Sequence, residues 1–99
     1  MAHLGTITKQ PSEKLPFDVS YADVLGMRSG TVGTPTTAIS GANPPTISDT
    51  SLSGSTFQFY IAGGADGGAH VITITTDITV GGKVETVQDE ISVVIEEIN

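Results

Sequence analysis

The stretch from residue 56 to residue 98 constrains the fold more than any other part of the chain. Apolar and polar residues alternate there in three runs, at residues 56–62, 70–80 and 84–98, with glycine-rich segments between them. Alternation with a period of two is typical of β-strands that bury one face, and the Ile, Val and Thr residues of these runs suit a pleated sheet. The sequence therefore predicts a meander of three strands that share one apolar side. The residues predicted to face the core are Phe57, Phe59, Ile61, Ile72, Ile74, Ile78, Val80, Ile91, Val93 and Ile95.

The two glycine-rich segments, 63–68 and 81–83, are predicted to be turns. Residues 63–68 superficially resemble a phosphate-binding loop, but such a loop needs a helix behind it to supply aligned N–H groups. A strand follows here instead. The segment is therefore predicted to be a flexible hairpin tip.

The first half of the chain carries weaker strand signals. Residues 1–10 suit an edge strand or an extended arm, and residues 15–19 alternate as a short strand. Ser20 and Asp23 stand at capping-box spacing before Gly26, which predicts one helical turn over residues 20–26. Tyr21, Val24 and Leu25 of this turn are expected to close one end of the core.

Between residues 28 and 54, three strand candidates at 30–33, 37–40 and 45–48 alternate with turn signals. This spacing is typical of a small antiparallel sandwich. Since each candidate has at most one large apolar residue, we expect a thinner and more mobile sheet here, with loops that suit a partner.

Length and composition indicate one all-β domain over residues 1–99. Ninety-nine residues can bury one two-layer core, and 12 glycines with 5 prolines favour short strands and frequent turns. The chain has no cysteine, which excludes disulfides and thiolate metal sites.

The charge and the hydropathy pattern argue against nucleic-acid and membrane partners. The formal net charge is −7, and such a surface repels phosphate backbones. No apolar run approaches the length needed to cross a bilayer, and the first residues do not resemble a signal peptide.

No residue pattern indicates catalysis or a cofactor. A serine elbow motif is absent, and the two histidines, His3 and His70, are too far apart in sequence to suggest a zinc site. His70 is instead predicted to border the core. Four carboxylates are candidates for calcium binding, but none of them lies in the dense Asp/Asn loop that calcium sites use. They are Asp66, Asp77, Asp89 and Glu90.

Two segments together resemble small virion proteins of tailed phages. Residues 9–25 resemble the opening of the fiber-tail adaptor or neck protein family, which has a lysine–x–proline, an alternating strand and a short turn with an aspartate that ends in leucine. Residues 63–76 and 81–93 are similar to the glycine loop and final hairpin of that family. The resemblance covers about half of the chain. Val24 stands near the place of the family's tryptophan, and residues 26–55 are unusually rich in proline and threonine.

This resemblance implies an immunoglobulin-like antiparallel β-sandwich of about seven short strands with one short helical turn. It also implies a non-enzymatic structural protein of the virion, assembled in the host cytoplasm, that joins the neck or tail to fibers or neighbouring subunits. Several copies per particle are expected, with self-association as one arrangement. The predicted partner contacts are Tyr60, the tip residues Asp66, Gly67 and Gly68, and the pair Met27 and Arg28.

Two alternatives stay open at this point. One is a capsid-decorating protein. The other is a carbohydrate- or cell-surface-binding module, which would display aromatic platforms such as Tyr60 and Tyr21.

Overall fold

A computed structural model of the chain describes residues 2–21 and 30–97, and these residues form a β-sandwich. Its eight strands are β1 (Ala2–Lys9), β2 (Lys14–Ser20), β3 (Gly30–Val32), β4 (Thr36–Ile39), β5 (Thr46–Ser53), β6 (Thr56–Ala62), β7 (Ala69–Val80) and β8 (Lys83–Ile95). The all-β class is therefore confirmed, with eight strands where about seven were predicted. Ser20, where the predicted helical turn would begin, belongs to β2, and residues 22–26 of that turn, with Val24 and Leu25, lie outside the described residues.

The strands are divided between two sheets. The larger sheet has the order β1-β8-β7-β3, with β4 also paired to β7, and the smaller sheet has the order β2-β6-β5. Strands β2, β5 and β6 thus face a sheet of five strands, and the described residues form a two-sheet sandwich.

The three strands of the second half do not form the predicted meander. Strand β7 pairs with β8 as a hairpin, but β6 pairs with β2 and β5 in the other sheet. The apolar side chains of β6 therefore meet those of β7 and β8 across the core. Alternation is the same in both arrangements, because it reports which face is buried and not which strand is the neighbour.

The weak strands of residues 28–54 do not form the separate thinner sheet that was predicted. Strands β3 and β4 lie one after the other along the same edge of β7, while β5 forms a hairpin with β6. Each short strand is thus stabilised by pairing with a longer strand that has a strong apolar face, since an isolated short strand is not stable in water.

Strand β1 is an edge strand, which settles the choice between edge strand and extended arm. It pairs in parallel with β8, from Ala2 beside Asp89 to Lys9 beside Ile95, with an irregularity between His3 and Gly5. The sandwich was predicted to be antiparallel, but this one pairing is parallel. The turn at residues 10–13 then carries the chain to β2, and it is closed by hydrogen bonds between Gln10 and Glu13.

The core is filled by side chains from both sheets. Phe59 lies between Phe57 and Phe17, with ring centroids 5.5 Å and 5.9 Å away. Nine of the ten predicted core residues are buried, and Val80 is half-buried. The buried apolar residues are Val19, Tyr21, Val32, Phe57, Phe59, Ile61, Ile72, Ile74, Ile78, Ile91, Val93 and Ile95.

Candidate functional site

The glycine loop, residues 63–68, crosses from β6 in the small sheet to β7 in the large sheet. It is not the tip of a hairpin, so that prediction was wrong. Its backbone is tied to the end of β8: Gly67 N–H donates to the Ile95 carbonyl at 2.8 Å, and Ile95 N–H donates to the Gly68 carbonyl at 2.8 Å. The Asp66 carboxylate also accepts from Glu97 N–H at 2.9 Å. The last three residues of the loop, 66–68, are therefore held by hydrogen bonds to Ile95 and Glu97.

Lys9 anchors the beginning of the same loop. Its ammonium donates to the Gly63 carbonyl at 2.6 Å and to the Gln10 carbonyl at 2.7 Å, and the residue is only 1% exposed. Burial lowers the pKa of the Lys9 ammonium, while the charge of Glu13 acts in the opposite direction. The side chain points inward because its position in β1 continues the inward row of Ile7.

The predicted contacts Asp66, Gly67 and Gly68 thus lie on a fixed loop. Asp66 and Gly67 are exposed and Gly68 is half-buried, so the loop presents a surface whose shape is set before any partner arrives. Much of its polar capacity is already used within the chain. A partner would therefore recognise its shape and its acidic charge more than free backbone groups.

Tyr60, the first predicted contact, lies on β6 of the small sheet, three residues before the glycine loop begins. It is half-buried on the outer face of β6, and the Lys14 ammonium sits 5.2 Å from its ring centroid. Lys14 also pairs with the Asp49 carboxylate at 2.5 Å. Met27 and Arg28, the remaining predicted contacts, lie outside the described residues.

His70 borders the core, as its place in the alternating pattern predicts. The residue is 3% exposed, and its Nδ1 lies 2.7 Å from the Ser40 carbonyl. Its Nε2 is buried and has no hydrogen-bond partner among the described residues. A Cβ at Gly41 would lie 2.5 Å from Nδ1, and one at Gly68 would lie 2.7 Å from Nε2. Both glycines are therefore required for the ring to fit.

A buried polar cluster between the two sheets was not predicted from the sequence. The Tyr21 hydroxyl and the Thr76 hydroxyl are 2.6 Å apart, and Asp89 is 7% exposed nearby on β8. Burial raises the pKa of Asp89. Burial also raises the pKa of Tyr21, as does the charge of Asp89, while the Thr76 hydrogen bond lowers it. The only signal was the position of Thr76 and Asp89 within the inward rows of β7 and β8.

The four carboxylates considered for calcium are not brought together. Asp66 binds Glu97 N–H, and Asp77 accepts a hydrogen bond from the Thr86 hydroxyl at 2.9 Å. Asp89 and Glu90 are consecutive on β8 and so point to opposite faces. Among residues 2–21 and 30–97, no group of three or more His, Cys, Asp or Glu residues could hold a metal ion. These residues also form no ligand-sized cavity.

Comparison with protein-family models and with curated proteins finds no match for this chain. Within the part of the chain that the structure describes, no helix could span a membrane.

Proposed function

We propose that this chain is a non-enzymatic structural protein of a tailed-phage virion, which joins the neck or tail to fibers or to neighbouring subunits. It acts by surface complementarity, and several copies in one particle turn weak contacts into firm attachment. Its acidic, immunoglobulin-like sandwich offers partners the fixed glycine loop at one end and the Tyr60 face of the small sheet.

The observation that carries this proposal is that the two segments of the family resemblance meet in space. The lysine of the lysine–x–proline motif, Lys9, binds the first carbonyl of the glycine loop, at Gly63. Tyr21, in the same opening segment, binds Thr76 in the final hairpin. The short motifs thus belong to one structural unit, which supports a common origin better than either motif alone.

Only one of the two tyrosines considered for the carbohydrate-binding alternative is accessible to a ligand. Tyr21 is completely buried and its hydroxyl is bound to Thr76, so it cannot offer a stacking platform. Tyr60 is half-buried beside Lys14. No geometry of the described residues favours this alternative over the virion role.

The proposal is tested in the particles produced from the genome that encodes the chain. The genes beside the coding sequence are expected to include a portal or terminase gene, and mass spectrometry of purified particles should detect the chain. Immunogold labelling should then place it at the neck or tail. Labelling over the capsid surface would indicate the decorating role instead, and particles that lack the chain, or neighbouring secretion genes, would overturn the virion proposal.

A further inference from the structure

The outer edge of β1 differs from the other open edges of the two sheets. An edge strand exposes unpaired N–H and C=O groups, and most natural edges carry prolines, bulges, charges or short strands that prevent pairing with another chain. In the small sheet, β2 contains Pro16 as its third residue, and β5 has an irregularity between Ser48 and Ser51. Both edges therefore resist a further strand.

The large sheet is protected along most of its perimeter as well. Strands β3 and β4 are three and four residues long and are separated by Pro35. The part of β8 that lies before the β1 pairing carries the charges of Lys83 and Glu85. Residues 4–8 of β1, by contrast, contain neither a proline nor a charge. The irregularity between His3 and Gly5 falls on Leu4, the first residue of this segment, and the inward-pointing Lys9 follows its last residue.

We propose that residues 4–8 of β1 pair with the same residues of a second copy of this chain, antiparallel across a twofold axis at Thr6. The two large sheets then continue into one sheet across the interface. This inference depends on the fold alone and not on the virion role, so either can fail without the other.

The side chains of this segment complement one another when it is paired with itself. An axis at Thr6 keeps the outward row together, with Leu4 opposite Thr8 of the second copy, and the inward row together, with Gly5 opposite Ile7. The position where Gly5 would carry a Cβ has no atom within 4 Å, and Ile7 is half-buried at the edge of the core. Each copy thus supplies the isoleucine that covers the open space beside the glycine of the other.

Charge also selects the second copy as the occupant. Two chains with a net charge of −7 repel each other, so a symmetric contact needs a segment without acidic residues. Strand β1 has none, and its segment 4–8 places no like charges opposite each other. Leu4 is 39% exposed and is one of two exposed large apolar side chains among the described residues. Pairing covers it with Thr8 of the second copy.

The contact is small, and the dimer is therefore weak. Five paired residues on each side bury less than the roughly 1,200 Å² at the lower limit of stable interfaces. Self-association is expected at about 0.1–1 mM chain, and added salt should strengthen it because screening reduces the repulsion between the acidic copies. A particle that holds many copies close together would favour the pairing further.

Analytical ultracentrifugation of the full chain from about 0.01 to about 1 mM tests the proposal. The average mass of the unaltered chain should rise towards that of a dimer, more so at high salt. Thr6→Lys and Thr6→Glu should each stay monomeric, since like charges meet at the axis, and an equimolar mixture of the two should associate more tightly than the unaltered chain by about tenfold. Thr6 is exposed, so both variants should fold, which circular dichroism checks.

The matched control is Thr79→Lys, which adds the same charge at an exposed threonine of β7 in the same sheet. It should associate like the unaltered chain. An unaltered chain that stays monomeric at the highest concentration overturns the proposal and leaves the edge to a strand of another protein. Dimers that form equally well with Thr6→Lys also overturn it, because they would use another surface.

Discussion

Phe59 illustrates how one side chain ties the alternating pattern to stability. Its ring is completely buried between two other phenylalanines. We expect Phe59→Ala to lower the free energy of unfolding by about 3–5 kcal/mol, because it removes buried surface and leaves a cavity. Urea unfolding measures the loss, with Tyr60→Ala, on the outer face of the same strand, as the milder control. Equal losses in the two variants would show that β6 has been assigned the wrong inward face.

Asp89 gives the core a pH dependence. Burial raises its folded-state pKa above the ordinary value of 3.8, so the folded protein keeps this proton to a higher pH than the unfolded chain does. The contribution of Asp89 to the free energy of unfolding is therefore fully present below about pH 3.8 and is lost as the pH rises through the folded-state pKa.

Asp89→Asn should remove the decrease in the free energy of unfolding that accompanies the ionisation of Asp89. The free energy of unfolding of the variant, relative to the unaltered chain, should increase between about pH 3 and pH 7, by about 1.4 kcal/mol for each unit by which the pKa is raised. Urea unfolding across this range checks the trend. Asp77→Asn, at an exposed carboxylate on the neighbouring strand, is the control for the loss of one negative charge at the surface. A difference that shrinks with rising pH would mean that the folded state favours the ionised Asp89.

At the scale of elements, the glycine loop depends on a lysine from another strand. Lys9→Met keeps the length of the side chain but leaves the carbonyls of Gln10 and Gly63 without their donor. We expect a loss of about 1–3 kcal/mol in the free energy of unfolding and faster hydrogen exchange at Gly67 N–H. Lys14→Met removes an exposed ion pair and should cost at most about 1 kcal/mol. If Lys9→Met is more stable than the unaltered chain, the cost of desolvating the ammonium outweighs its hydrogen bonds.

The turn of the β7–β8 hairpin requires two left-handed residues in succession. Gly81 has φ of 59° and Gly82 has φ of 78°, as in the two-residue turns that favour Asn-Gly. Gly82→Ala should lower the free energy of unfolding by about 1 kcal/mol because alanine is strained in this conformation. Gly81→Asn should be nearly neutral. Thermal unfolding compares the two, and an equal cost for both would show that the turn adopts another geometry.

The whole molecule is elongated because of this hairpin. Its dimensions are 51 × 21 × 17 Å, and β8 has 13 residues, which corresponds to about 40 Å of extended chain. The shorter strands of the small sheet cover only part of that length. The hydrogen bond between Tyr21 and Thr76 then ties the end of β2 to the centre of β7.

The hydrogen bond between Tyr21 and Thr76 is testable by a double-mutant cycle. Tyr21→Phe or Thr76→Val alone should each cost about 1–2 kcal/mol, because one buried hydroxyl loses its partner. The two changes together should cost less than the sum of the single changes, since no unpaired hydroxyl is left. Chemical denaturation of the four proteins measures the coupling. Additive losses would mean that the hydroxyls do not interact in solution.

The sequence by itself determined the strands and their inward faces. Phe57, Phe59, Ile72 and Ile91 could be placed in the core because alternation with a period of two records which side of a strand is buried. It also placed His70 correctly at the border of the core. It located the surface positions of Tyr60 and Asp66, while their role in binding stays a proposal.

Only the tertiary structure decided which strands are neighbours. The alternating pattern of a strand is the same whether the next strand lies beside it or across the core. The glycines of residues 63–68 therefore could not show that this segment crosses between the sheets. The burial of Lys9 was likewise hidden, because an ammonium is stable inside the protein only where carbonyls from distant parts of the chain converge on it. Such convergence depends on contacts between residues that lie far apart in sequence, and these form only when the two sheets pack together.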